Sequence, residues 1–324
     1  MVDFNICLAN LHPNDRGSET LGVLLNYTMR SISINGHNIT LSSETFDNSA
    51  INLIFESFNP ETASLILKLK KRNNLKIGVI ATELMTLEGF PYGSDGIYVG
   101  DGFAKIDYLT DRFNGFSAML DGVDFLWCFL ERTARIFQAR INSSYHYPFG
   151  FVEPYLPIKY RRCKKDIDVL FFGTATRHRI EVIENLTKSS INVVTTGRGW
   201  PTSYMPGIGL TSLLDRSKIG LNLTLTRPRS SDYDPRFVSC ARITEMFNHD
   251  LLVVSEEIPY DNPYKEYMIC TSLDTLADCI KGLLKDYDSN LGTILGAEFR
   301  LNYRAEDICK SAINSTLDLY SKYY

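Results

Sequence analysis

The chain has 324 residues, 44% hydrophobic and 22% charged, with 34 Lys and Arg against 38 Asp and Glu and a formal net charge of −4. That is apolar material for about two domains, each with its own core, and it excludes a disordered chain, a collagen-like fibre and a small disulfide scaffold. The acidic balance also argues against nucleic acid as a partner, because binding along a phosphate backbone wants a basic surface.

In chain order, the first element is a short apolar strand, Phe4–Ala9, running into a polar turn, Asn10–Gly17. Ser18 caps a helix to about Ser33, with Leu21, Leu24, Leu25, Thr28 and Met29 on one face. Strands are predicted at Ile51–Phe55, Lys76–Ala81, Phe125–Phe129 and Tyr145–Phe149, and helices at Pro60–Lys71 and Glu131–Arg140. A stretch carrying Pro154, Pro157, Arg161, Arg162, Lys164 and Lys165 reads as a linker. The strand Ile167–Phe172, the turn Gly173-Thr174-Ala175-Thr176 and a helix His178–Thr187 then repeat the opening of a doubly wound sheet.

The rest of that half alternates in the same way. Strand Ile191–Thr195, the turn Gly197-Arg198-Gly199-Trp200, helix Leu210–Arg216 and strand Ile219–Leu223 lead to a polar loop from Thr226 to Pro235. Helix Val238–Asn248, strand Leu251–Ser255, helix Ser272–Tyr287 and a helix from Ala305 to Tyr320 complete the chain. With every crossover helical, the sheets are expected to be parallel and buried on both faces. The predicted fold class is therefore α/β, with two Rossmann-like domains facing each other across a cleft. Their predicted bounds are residues 1–152 and 166–304, joined by a linker at 153–165, with the helix at 305–324 crossing back to the first domain.

Ligands of open α/β sheets bind beyond the carboxyl ends of the strands. In the first half those positions hold His12, Asp15, Gly17, Glu56, Thr82 and Glu83. In the second they hold Gly173, Thr174, Arg177, Gly197, Arg198, Arg227 and Arg229. Guanidinium forks after a strand suit phosphate oxygens, and the helix opening at Val238 to Ala241 offers free backbone N–H groups. Arg242 and Glu245 lie three apart on that helix and share a face, where the plain alternative is a surface ion pair.

Segment Ser217 to Ser255, SKIGLNLT…ARITEMFNHDLLVVS, followed by Glu256, resembles the donor-domain block of GT-B glycosyltransferases, in particular the CgeB-like branch of the family-1-type enzymes. The strand Asp168–Phe172 with Gly173-Thr174 matches the first strand of the same domain. The resemblance extends over about residues 145–310 and reaches the first half only in layout. It implies a transferase that moves a sugar from a nucleotide-diphosphate donor, bound by the second domain, to an acceptor glycan, protein or small molecule bound by the first. Under it Glu245 holds the ribose, Arg242 with Arg227 or Arg229 faces the diphosphate, Gly173–Thr174 lines its approach, and Gly197–Arg198 lies beside the nucleobase. Retaining relatives carry a second glutamate eight residues before the helix one, where this chain has Phe237. Stereochemistry therefore stays open.

For an inverting reaction the base would come from the first domain. His12, oriented by Asp15, has a suitable unperturbed pKa, and Glu83 is its rival. No cofactor and no metal are expected: Asp166-Ile167-Asp168 precedes its strand, and the histidines at 12, 37, 146, 178 and 249 show no ligand spacing. The absence of G-x-G-x-x-G after the first strand argues against a dinucleotide cofactor. Seven cysteines without a C-x-x-C pair, and no apolar run long enough to span a bilayer, predict a cytoplasmic protein with at most a peripheral membrane contact. A GT-B-shaped epimerase or phosphorylase, or a non-catalytic sugar-nucleotide-binding subunit, would share the same donor site.

Overall fold

The computed structural model describes residues 1–9, 11, 19–91, 106–153, 164–202, 208–225, 239–258 and 262–321. The chain divides into two compact units, the first taking in Met1–Pro91, Lys105–Val152 and Arg304–Tyr324, the second Glu153–Tyr303.

The first unit holds β1 (Asp3–Cys7), α1 (Glu19–Ile34), β2 (Asn38–Ser42), β3 (Ile51–Phe55), α2 (Pro60–Asn73), β4 (Lys76–Ala81), α3 (Ile106–Leu120), β5 (Phe125–Cys128), α4 (Glu131–Phe137) and β6 (Ser144–His146). Its six strands lie in the order β2-β1-β3-β4-β5-β6, every pair parallel. Central strands are mostly apolar because helices cover both faces, and all five residues of β3, Asn52 among them, are buried. Strand β2 is an edge and is largely exposed, so burial on both faces does not extend to it. The link from β2 to β3 is also not a helix, contrary to the expectation that every crossover is helical. A few residues suffice there because the crossover skips only β1, at about 4.8 Å per strand. The buried amide of Asn52 fixes the link: its Nδ2 donates to Asp47 O at 2.8 Å, and its Oδ1 accepts from Asp47 N at 2.8 Å and from Asn5 Nδ2 at 2.9 Å.

The second unit holds β7 (Ile167–Phe172), α5 (Arg177–Lys188), β8 (Val193–Thr196), α6 (Ile208–Arg216), β9 (Ser217–Asn222), α7 (Cys240–Asn248) and β10 (Leu252–Glu256). A 3-10 turn, Lys265–Tyr267, then leads to β11 (Ile269–Thr271), α8 (Leu276–Lys285) and α9 (Ser289–Asn302). The parallel order is β11-β10-β9-β7-β8. From β7 the chain first moves out to β8 and then returns to the other side at β9. The order thus reverses between β7 and β9, and the carboxyl ends of strands at such a reversal are where open α/β sheets bind their ligands.

The helix predicted over 305–320 is two pieces, α10 (Ala305–Ile308) and α11 (Lys310–Ser321). Both pack on the first unit: Ala305 N donates to Phe151 O at 2.9 Å, and Trp127 Nε1 on β5 donates to Thr316 Oγ1 at 2.9 Å. Among the described residues no helix is long and apolar enough to cross a membrane.

Candidate functional site

The site is built from the segments that follow β7, β8 and β9 and from the faces of α5 and α7. Gly173, after β7, has φ +142 and Gly197, after β8, has φ +130, both in the region that disfavours a side chain. The two loops are in contact, since a Cβ on Gly197 would lie 2.3 Å from the Gly173 carbonyl oxygen. Backbone bonds join them: Gly173 N donates to Thr196 O at 3.0 Å and Ala175 N to Arg198 O at 2.7 Å. The Trp200 indole adds a bond from Nε1 to Gly173 O at 2.8 Å. Thr176 then caps α5, its hydroxyl accepting from Arg179 N at 3.3 Å and donating to Leu225 O at 3.2 Å.

Arg179, on the first turn of α5, is 5% exposed and bridges the segments that follow β7 and β9. It donates from Nη1 to Thr174 O at 2.8 Å, from Nη2 to Leu223 O at 3.1 Å and from Nε to Thr224 O at 3.0 Å. Neighbouring His178 is buried as well, and its Nε2 lies 2.8 Å from Glu256 Oε2 at the end of β10. Glu256 also accepts from Thr224 Oγ1 at 2.7 Å and from Thr224 N.

Helix α7 brings Arg242 to the same place. The helix is fixed at its far end, where His249 Nδ1 lies 2.8 Å from Asp215 Oδ1 and the Phe247 ring packs tilted against Phe299 with centroids 4.6 Å apart. Arg242 is 6% exposed, so a surface ion pair with Glu245 does not describe it. Its guanidinium lies over the Phe171 ring at 5.3 Å, and a Cβ on Gly173 would meet its Nη1 at 3.2 Å. Among the described residues neither Nε nor Nη1 has a hydrogen-bond partner. Burial, and then the Arg179 cation beside it, hold its pKa well below that of a free guanidinium, against the opposing pull of Glu256. A buried cation with unmet donors is costly until an anion arrives.

The structure thus brings Gly173, Thr174, Gly197 and Arg242 together, with half-buried Glu245 on the helix that carries Arg242. Arg198 is exposed, beside them in the β8 loop. Arg177 is not part of the group: it is solvent-exposed and pairs with Glu181 one turn on, at 3.2 Å. Arg227 and Arg229 lie outside the described residues, as do His12 and Asp15. Glu83, half-buried after β4, has its carbonyl bonded by Thr133 Oγ1 at 3.1 Å. Sequence reasoning did not single out Arg179, His178 or Thr224. An arginine one turn into a helix after a glycine turn was the available signal for the first of these. Asp166 and Asp168 stand at the amino end of β7, where Arg216 holds the first through two 2.8 Å bonds and Lys218 the second at 2.7 Å. Among the described residues no cluster of three or more His, Cys, Asp or Glu could hold a metal.

Two parallel Rossmann-like sheets in one chain, with a crevice at the switch point, give the fold of the GT-B glycosyltransferases. Solved structures share it over almost the whole chain. HepE of Anabaena in complex with UDP-glucose matches with a TM-score of 0.56 at 8% identity, over 100% of this chain and 99% of that one. AviGT4, a glycosyltransferase involved in avilamycin A biosynthesis, matches at 0.56 and 11% identity, over 99% of each. The α,α-trehalose-phosphate synthase (UDP-forming) of Burkholderia vietnamiensis matches at 0.55 and 10%, over 99% of this chain and 97% of that one. No protein-family model matches the sequence, and no curated protein does.

Proposed function

We propose that the chain is a cytoplasmic, metal-independent glycosyltransferase that moves a sugar from a nucleoside diphosphate sugar to a glycan, protein or small-molecule acceptor. The observation that carries this is Arg242, a buried guanidinium whose Nε and Nη1 have no partner among the described residues, set at the switch-point crevice of the second unit. A diphosphate is an anion of matching charge, and donors placed where charge develops on a departing diphosphate lower the barrier to its release. Glu245 takes the ribose hydroxyls, Arg227 and Arg229 join Arg242 on the diphosphate, Gly173–Thr174 lets its oxygens approach the main chain, and Gly197–Arg198 flanks the base.

The acceptor hydroxyl attacks the anomeric carbon while the bond to the diphosphate oxygen breaks, its electron pair leaving with the diphosphate. In an inverting reaction the hydroxyl proton passes to His12, held by Asp15, or to Glu83. The fold neighbour HepE was solved with UDP-glucose, so uridine diphosphate and UDP-glucose are the first ligands to try. A rise in melting temperature with a nucleoside diphosphate, and nucleotide release that requires an added acceptor extract, are expected. No shift with any nucleoside diphosphate would remove the donor site. Sugar interconversion without an acceptor would transfer the chain to the epimerase class, and sugar 1-phosphate formation that requires inorganic phosphate would transfer it to the phosphorylase class.

A further inference from the structure

Arg179 and Arg242 share one aromatic ring: their guanidinium carbons lie 5.4 and 5.3 Å from the centroid of Phe171. A Cβ on Gly173 would be within 3.7 Å of Arg179 Nη1 and 3.2 Å of Arg242 Nη1, so the two cations converge on the same glycine. They are bound very differently. Arg179 spends Nε, Nη1 and Nη2 on main-chain carbonyls of Thr224, Thr174 and Leu223. Those carbonyls belong to the segments after β7 and after β9, the two strands that border the crevice. A planar fork reaches three such acceptors at once with fixed angles, which an ammonium cannot do.

We propose that Arg179 and Phe171 are positioning residues of the anion site: they act through Arg242 and the glycine loop, without a contact of their own to the ligand. Arg179 staples the two strand ends, which sets the glycine loop at the height of α7. Phe171 provides the surface on which the Arg242 guanidinium lies. Repulsion from Arg179 raises the cost of an unmatched Arg242 cation, so an incoming anion gains more by binding there. The assignment rests on the nucleotide-sugar reading in naming a diphosphate as the ligand.

The test uses calorimetric titration of the full chain with inorganic pyrophosphate and with uridine diphosphate. The proteins are the wild type, Arg179→Lys, Arg179→Met, Phe171→Leu and Arg242→Met, each at a temperature where circular dichroism shows it folded. Both ligands are expected to bind the wild type. Affinity for both is expected to fall about tenfold in Arg179→Met, the equivalent of roughly 1.4 kcal/mol, and comparably in Arg179→Lys, which keeps the charge and loses the fork. The dependence of affinity on salt is expected to match the wild type in Arg179→Lys, which keeps the charge, and to weaken in Arg242→Met, which removes a charge that touches the ligand. Wild-type affinity in Arg179→Lys would show that charge alone suffices, and that overturns the positioning role. Undiminished affinity in Arg179→Met and Phe171→Leu, on a wild type that binds, overturns it and leaves the donor site intact. A wild type that binds neither ligand overturns both. Should Arg179→Met not fold, Arg179→Lys and Phe171→Leu decide the matter.

Discussion

Both units tie two neighbouring strand ends together with a buried glutamate, and the contrast lies in what closes the charge. Glu56, after β3, accepts from Thr82 N at 3.1 Å and Thr82 Oγ1 at 2.7 Å, at the end of β4. Glu256, at the end of β10, accepts from Thr224 Oγ1 at 2.7 Å and from Thr224 N, just past β9. The third partner is Arg112 Nη2 in the first unit and His178 Nε2 in the second. Arg112, a permanent cation, is thus spent on the first carboxylate. In the second unit the carboxylate is met by an imidazole, and among the described residues Nε and Nη1 of Arg242 have no partner. One device for fastening strand ends is therefore closed by a guanidinium in one half and by an imidazole in the other, where a second buried guanidinium, Arg242, lies beside the joint.

The largest effect should separate the halves by function. If the second unit holds the donor and the first supplies the base, His12→Ala leaves nucleotide affinity unchanged and lowers turnover by about 10²–10⁴, the usual cost of losing a general base. Glu83→Gln is the comparison. Near-full turnover in His12→Ala with a dead Glu83→Gln moves the base to Glu83, and loss of nucleotide affinity in either breaks the division of labour.

Next come the two joints themselves. Glu56→Gln leaves the Arg112 cation, only 15% exposed, facing a neutral amide. Breaking such a pair costs about 3–5 kcal/mol. Glu256→Gln can keep its amide oxygen for Thr224 N and Oγ1 and donate its NH2 to a neutral His178 imidazole, so its cost should be closer to one hydrogen bond, about 1 kcal/mol. Urea midpoints of the two variants give the ranking directly. Equal losses would mean that the second joint is as ionic as the first.

The unmet guanidinium gives a smaller effect with opposite signs in binding and stability. Arg242→Met should weaken uridine diphosphate binding ten- to hundredfold, since a charge-assisted hydrogen bond is worth about 1.5–3 kcal/mol. The same change should raise the melting temperature of the ligand-free protein, because it removes a buried cation that is short of partners. A stabilising effect without loss of affinity would show that Arg242 is merely a burden on the core.

How much of this was legible in the sequence follows from the physics of each element. Buried parallel strands such as Ile51–Phe55 and Ile167–Phe172 announce themselves as short apolar runs, and both observed strands have those bounds. The exposed edge strand Asn38–Ser42 has no such run, and neither does the three-residue strand Ile269–Thr271. Helix α9 was hidden because Gly292 and Gly296 look like breakers. They are there because a Cβ would lie 2.5 Å from Asp250 O and 2.8 Å from Phe247 O, so the helix can only pack that closely on glycine. Within the site, the Gly173 turn and Arg242 were visible from their places after a strand and on a helix. The place of Arg179 was not, because its partners are main-chain carbonyls, two of them from 44 and 45 residues away, and no side-chain pattern records them.

The smallest effect concerns the histidines, and it again sets one unit against the other. In the second unit, His178 and His249 each lie 2.8 Å from a carboxylate. In the first, His146 on β6 has its pKa pushed below the ordinary 6.5, chiefly by burial, with Glu131 and a main-chain bond to Phe129 pulling upward and Arg135 pushing down. His37 shifts in the same direction, also chiefly through burial. The unfolded chain therefore takes up these protons at a higher pH than the folded one does. Stability from a neutral His146 is fully present above about pH 6.5 and is lost as the pH falls through the lowered folded value. Melting temperature should thus decline from pH 7 towards pH 5, and His146→Asn, which cannot be protonated, should decline less. Thermal denaturation of the two proteins across that range gives the difference in slope, and the calorimetric trace shows which transition moves. Parallel curves would mean that the acid sensitivity arises elsewhere, and a steeper decline in His146→Asn would reverse the sign assigned to it.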